Sequence, residues 1–173
     1  IVLDGDAARP GVSVSEALGA VPGLAARERQ NFAQDTQLSI RGFGARSTFG
    51  VRGLRLYADG IPATMPDGQG QVSHMVMAGA ERIEVLRGPF SALHGNSSGG
   101  VVQVFSADGQ APARAHAQAS VGRDRSRAVA AGLSGAGAVL GYALVASGFR
   151  TDGWREHSAA RRDWFNLKLH AAL

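Results

Sequence analysis

The chain has 173 residues, 45% of them hydrophobic, which is enough for one domain, or a small domain with part of another, and too apolar for disorder. It has no cysteine, so disulfide staples and thiolate metal sites are excluded. The net charge of +4 is uneven: residues 1–113 sum to −1 and residues 114–173 to +5, so the basic end invites nucleic acid, anionic lipid or an anionic ligand.

The elements follow in chain order. Ser13-Val14-Ser15-Glu16 has the S-x-x-E form of a capping box, and Val21-Pro22-Gly23 is a stop, so residues 13–21 read as a short helix. Gln37-Leu38-Ser39-Ile40-Arg41 alternates like a strand and runs into a loop from Gly42 to Gly53. Residues 54–58 alternate again and end at Asp59-Gly60, a strong turn signal. Residues 62–73 read as a second exposed loop. A third strand, 82–87, closes at Gly88-Pro89, and a helical turn at 90–94 ends at Gly95-Asn96. Residues 101–105 make a fourth strand, and Gly99-Gly100 at its start allows close backbone approach. Twenty-four glycines, about twice the usual share of ~7%, suit such a turn-rich, β-rich chain.

Beyond a linker at 108–112 the chain is all alternation. Ala115, Ala117, Ala119 and Val121 share one face; His116, Gln118 and Ser120 share the other. After a turn at 122–126, Val129, Ala131 and Leu133 lie on one face with small residues opposite. Residues 139–149 are apolar on both faces and ambiguous. Phe165, Leu167, Leu169, Ala171 and Leu173 form one face of the last strand, and Trp164, Asn166, Lys168 and His170 the other. Such strands fit a soluble sandwich with the apolar side inward, or an outer-membrane barrel with the apolar side toward lipid. No apolar run reaches the ~20 residues of a membrane helix, which leaves a β-barrel open.

Enzyme motifs are missing. Gly95–Gly100 lacks the Lys-Ser/Thr of a phosphate loop, and no G-x-G-x-x-G joins a strand to a helix. The five His show no metal-ligand spacing, and there is no nucleophile elbow. The expectation is no enzyme, no metal site and no cofactor. The arginines of the basic end cluster in turns without an aromatic stacking platform, so nucleic acid is not expected as a partner.

Five motifs, in order, resemble the plug of a TonB-dependent outer-membrane receptor. Val14-Ser15-Glu16-Ala17-Leu18 with Val21-Pro22-Gly23-Leu24 resembles its opening helix, and Ser39-Ile40-Arg41-Gly42-Phe43 its I-R-G-F motif. Tyr57–Pro62 resembles the D-G-I/V-P turn, Glu81–Pro89 the E-R-I-E-V-L-R-G-P element, and Ser91–Gly95 with Gly99–Val104 its continuation. His94 and Gln103 replace the family's usual Tyr and Asn. The resemblance implies an α+β plug domain at 1–110, followed by the first antiparallel strands of an incomplete transmembrane β-barrel at 111–173. The family barrel has roughly 22 strands, so a truncated chain is expected. Ile1-Val2-Leu3 does not make a TonB box, so contact with the TonB complex is expected through an upstream segment missing here.

The implied function is energised uptake of a scarce ligand, by default a ferric siderophore or ferric citrate, across the bacterial outer membrane, with outer-membrane lipid around the barrel. A soluble β-rich binding or adhesion module is the alternative. The resemblance also implies that Arg41 and Arg87 pair with barrel glutamates and lock plug to wall. The loops 43–53 and 62–72 are expected at the outer face of the plug. There Arg46 offers a donor fork for an anionic chelate, Ser47, Thr48, Gln69 and Gln71 offer hydrogen bonds, and Phe49 and Met65 offer apolar contact. The arginines of the turns 122–127 and 150–163 are expected to add a positive funnel.

Overall fold

The computed structural model describes residues 1–4, 11–29, 31–95 and 97–171; Asn96 and Leu173, named above, lie outside them. The chain divides into two compact units. One comprises Ile1–Asp4, Ser13–Met75 and Arg82–Phe105; the other comprises Val76–Glu81 and residues 106–171, with residues 11–12.

In the first unit, α1 (Val14–Leu18) starts where the capping box places it. The Ser13 hydroxyl accepts from the Ser15 amide, and the Glu16 carboxylate accepts from the Ser13 amide at 3.1 Å. The helix is shorter than 13–21, because Gly19 caps it and the Val21 amide turns back to the Leu18 carbonyl. A strand that the sequence does not announce follows, β2 (Leu24–Arg27), held by antiparallel pairing with β3 (Gln37–Ile40). Glu28, just beyond β2, accepts from the hydroxyls of Ser15 at 2.7 Å and Thr36 at 2.6 Å, and from that of Ser13. One carboxylate therefore ties the helix start to the strand pair.

The remaining strands of this unit form a mixed sheet. They are β1 (Val2–Asp4), β4 (Leu54–Ala58), β5 (Ile61–Pro62), β6 (Ala80–Arg87) and β7 (Gly100–Ser106), in the order β1-β6-β7-β4-β5. Asp59 and Gly60 have φ of 49° and 79°, the two positive values a tight hairpin turn between β4 and β5 demands. Pro62 continues that hairpin at the sheet edge, where its missing N–H leaves no ladder bond unmade. A short helical turn, α2 (Ser91–His94), precedes β7, and β7 runs parallel to β4. Leu38, Ile40, Val51, Leu54, Leu56, Val101 and Val102 are fully buried and form the core.

The second unit is a sequential antiparallel sheet: β8 (Arg114–Val121), β9 (Arg127–Ala136), β10 (Leu140–Thr151) and β11 (Ala160–Ala171). It is not closed into a barrel. The register puts Ala117, Ala131, Ala146 and Phe165 in one lateral row and Gln118, Ala130, Ser147 and Trp164 in the next, on the opposite face. The first face is apolar and bare: Val129, Leu133, Leu140, Phe165, Leu167 and Leu169 are all exposed. The second face is small and polar, yet it is the covered one. Lys168 Nζ lies 2.7 Å from Asp108 Oδ1 and donates to the Ser106 carbonyl at 3.3 Å. Gly79 sits so close to Val145 that a Cβ there would lie 2.6 Å from Val145 Cγ1. This resolves the ambiguous stretch 139–149: β10 is apolar on both faces because Val145 and Phe149 are buried on the polar side.

Gly100 gives the sharpest test of the first unit. Its φ is 143°, and a Cβ would strike the Leu86 carbonyl oxygen. Gly100→Ala should cost about 1–3 kcal/mol from the backbone conformation alone. Faster amide exchange at Leu56, Val85 and Val102, measured by hydrogen–deuterium exchange, is the expected outcome; unchanged protection would show that the backbone adapts.

Candidate ligand-binding site

The two loops read from the sequence as ligand-facing are joined to each other. Val51 and Gly70 exchange both backbone hydrogen bonds, each 2.8 Å long. Arg52 Nη2 donates to Gln69 Oε1 at 3.0 Å and lies 3.6 Å from Asp67 Oδ2. The second loop is itself folded tightly. The Met65 amide donates to the Gln69 carbonyl at 2.8 Å, and the Gln69 amide donates to Asp67 Oδ1 at 3.0 Å.

The first loop is braced against the β2–β3 pair. Gln37 Nε2 donates to the Ala45 carbonyl at 2.7 Å, and Arg29 Nη2 donates to the Ser47 carbonyl at 3.0 Å. Ser47 is buried, with its hydroxyl 2.8 Å from the Phe49 carbonyl oxygen and 3.0 Å from that of Gly50. A hydroxyl has one proton to give, and here it serves the loop. Arg46, Thr48, Phe49, Met65 and Gln71 are exposed, and Gln69 is half-buried beside Arg52. Of the two apolar tips Phe49 is the barer, at 70% exposed.

Arg52 is the residue that sequence reading missed. The signal was available in a second guanidinium within the 43–53 loop and a carboxylate, Asp67, in the facing loop. Nothing in the sequence announced that Val51 and Gly70 would pair and bring them together.

Arg41 and Arg87 come close to one another, at the Pro22–Gly23 turn. Arg87 Nη1 donates to the Pro22 carbonyl at 2.7 Å. The Arg41 amide donates to the Gly23 carbonyl at 3.0 Å, and Arg41 itself has a φ of 49°. A Cβ on Gly23 would lie 3.8 Å from Arg87 Nη1 and 3.9 Å from Arg41 Cγ. Among the described residues, neither guanidinium meets a carboxylate.

The register divides the strand-end arginines of the expected positive funnel between two faces. Arg127, Arg150 and Arg161 stand on the apolar face of the second sheet, not with its polar residues; Arg162 alone of the strand-end group shares the face of Trp164 and Lys168. Strand parity decides this, since neighbouring residues point to opposite sides.

Residues 5–102 match the TonB-dependent Receptor Plug Domain. Among solved structures the chain is similar to the ferric yersiniabactin uptake receptor FyuA from Yersinia pestis (TM-score 0.76, 22% identity, 99% of this chain and 28% of that one). It is also similar to the siderophore receptor PirA from Pseudomonas aeruginosa (0.69, 21%, 98% and 31%) and to the copper transporter OprC (0.67, 16%, 96% and 26%). At such identities the likeness fixes the fold and leaves the ligand open. The chain spans under a third of the length of these receptors. It belongs to the TonB-dependent receptor plug family, with a plug fold followed by strands matching the early part of the receptor barrel. That family comprises transporters of the bacterial outer membrane rather than enzymes.

The Arg52 bridge is exposed on both partners, so it contributes well under about 1 kcal/mol to global stability. Its expected role is local. Arg52→Ala should speed amide exchange at Val51 and Gly70 while leaving that at Leu54 and Leu56 unchanged. Equal acceleration at all four would make Arg52 a general stabiliser instead.

Proposed function

We propose that this chain supplies the plug and first wall strands of an energised importer, which takes up an anionic metal chelate such as a ferric siderophore or ferric citrate. The observation that carries the reading is the joined pair of loops. One braced surface carries a guanidinium (Arg46), neutral donors (Thr48, Gln69, Gln71) and apolar tips (Phe49, Met65), with Ser47 holding the loop from beneath. A chelate of this kind presents carboxylate, hydroxamate or catecholate oxygens around an apolar rim. Guanidinium forks suit such oxygens, and pre-braced loops lose less entropy on binding. The named solved relatives include siderophore receptors and a copper transporter, so the metal and its chelator stay at the level of class.

The import cycle needs a plug that is held and then released. Arg41 and Arg87 are our candidates for the lock, with acidic partners on the barrel wall. Two arginines that meet the same Pro22–Gly23 turn, neither paired with a carboxylate among the described residues, would be pulled toward such acids, and their pairing is of a kind that pulling by the TonB complex reverses. A domain boundary near residue 110 fits this division, with plug before it and barrel wall after it.

The test is Arg46→Ala and Gln69→Ala in the full-length gene product, with uptake and binding of ferric chelates measured. Affinity for an anionic chelate should fall about tenfold or more, as expected when a charge-assisted hydrogen bond of roughly 1.5–3 kcal/mol is lost. Unchanged affinity for every chelate that the wild type binds would remove these residues from the site.

The wall assignment has its own test. Leu167→Arg puts a charge on the bare apolar face and should cost about 2–4 kcal/mol of folding stability in a bilayer if the residue lies near the midplane. Asn166→Arg, one residue away on the polar face, should cost much less. Equal penalties would favour a soluble β-rich binding or adhesion module.

A further inference from the structure

The register of the second sheet gathers arginines that the sequence disperses. Arg127 stands opposite Arg150, and Arg150 opposite Arg161, with Val121 opposite Arg127 at the end of the row. Adjacent strands lie about 4.8 Å apart, so three guanidinium stems stand side by side. They share a face with Val129, Phe165, Leu167 and Leu169, and stand at the edge of that apolar field. Arg161 Nε meets Asp163 Oδ2 at 2.7 Å. Arg127 and Arg150 are exposed and meet no carboxylate among the described residues. Like charges directly opposite in a sheet repel, so the Arg127–Arg150 pair, which lacks the carboxylate that Arg161 has in Asp163, is destabilising until a further anion sits on it.

The position of the row narrows the anion. The row lies at the end of the sheet that carries the longer connections, 122–126 and 152–159, whereas the other end carries only 137–139. In outer-membrane barrels the longer connections face outward. A free anion would use the guanidinium groups and leave the adjoining apolar field bare. A lipid with a phosphorylated headgroup satisfies both at once: phosphate oxygens accept the arginine forks, and acyl chains cover the apolar side chains below.

We infer that Arg127, Arg150 and Arg161 form a binding site for the phosphorylated headgroup of an outer-leaflet lipid, whose acyl chains lie along the Val129–Phe165–Leu167 face. This rests on the proposed membrane-facing reading of that face. The site shares no residue with the proposed chelate-binding loops, and its occupant is a resident lipid rather than cargo.

Native mass spectrometry of the full-length gene product in detergent, titrated with diphosphoryl lipid A, provides the test. The wild type should bind the lipid, and Arg127→Gln/Arg150→Gln should weaken binding by about tenfold or more, the scale of one lost charge-assisted contact. The same lipid without its phosphates should bind the wild type as weakly as the double variant binds the intact lipid. Arg123→Gln/Arg155→Gln, which removes charge from the connections alone, should bind like wild type. Undiminished binding by the Arg127/Arg150 variant overturns the inference, as does an equal loss in the Arg123/Arg155 variant. Displacement of the lipid by inorganic phosphate at similar concentration would overturn a lipid source. Circular dichroism and heat-modifiable gel migration verify that each variant is folded. Insertion of the wild type into neutral phosphatidylcholine bilayers separately tests the membrane-facing reading, so failure there is distinguishable from failure of the arginine site.

Discussion

The sheet formed by β8 to β11 covers its polar side and leaves its apolar side bare, and the second unit is organised around that inversion. In water a sheet buries its apolar face, because each Å² hidden contributes about 25 cal/mol. Here Phe165, Leu167 and Leu169 are bare, while Ala128, Ala130, Val145 and Phe149 are buried on the face that carries Lys168. In the proposed wall setting hydrocarbon would supply the missing cover, and it demands that backbone groups be paired within the protein. The ladders from β8 to β11 meet that demand between neighbours. Room on the inner side comes from small residues. Gly132 lies under the His116 ring and Gly141 under that of His170, with a would-be Cβ 3.0 Å and 2.8 Å from the respective Nδ1 atoms. A ring laid over a glycine restores the cross-strand contact that the missing side chain forgoes.

The plug unit obeys ordinary rules, and its core does the positioning. Leu54 and Leu56 on β4 are buried alongside Val101 and Val102 on β7, and the parallel register of those strands fixes where β4 ends. The Asp59-Gly60 turn then reverses the chain, so the 62–73 loop returns beside the 43–53 loop and Gly70 meets Val51. The loops are thus held both by the Val51–Gly70 pairing and by their own side chains at Ser47, Arg52 and Asp67. Polar tips on a rigid base are what recognition of a hydrophilic chelate requires, since mobile loops would lose entropy on binding.

Much of this was legible in residue order. The capping box at Ser13–Glu16, the turn at Asp59-Gly60 and the strict alternation of residues 164–171 each encode local geometry in a few neighbouring side chains, and the structure follows them. Elements set by distant partners were not legible. β2 reads Leu-Ala-Ala-Arg, with no period, and exists because β3 offers it a ladder. β10 carries two apolar faces because residues far upstream, at Gly79, pack on one of them. The loop site shows the same limit. Residue type does not tell exposed Arg46 and Phe49 from buried Ser47, whose hydroxyl turns to the Phe49 and Gly50 carbonyls.

Charge shows why register matters more than composition. Residues 114–173 carry a surplus of +5, and a sum of that kind suggests one positive field acting on one anion. Strand parity divides the surplus. Arg162 and Lys168 take the covered face, where Lys168 is engaged by Asp108. Arg125 is engaged by Asp152, which helps tie the two long connections together. Arg127 and Arg150 are left on the apolar face, opposite to the one that carries Lys168. The basic end of this chain therefore divides its charge between a brace at Lys168, the covered face at Arg162 and the bare apolar face at Arg127 and Arg150.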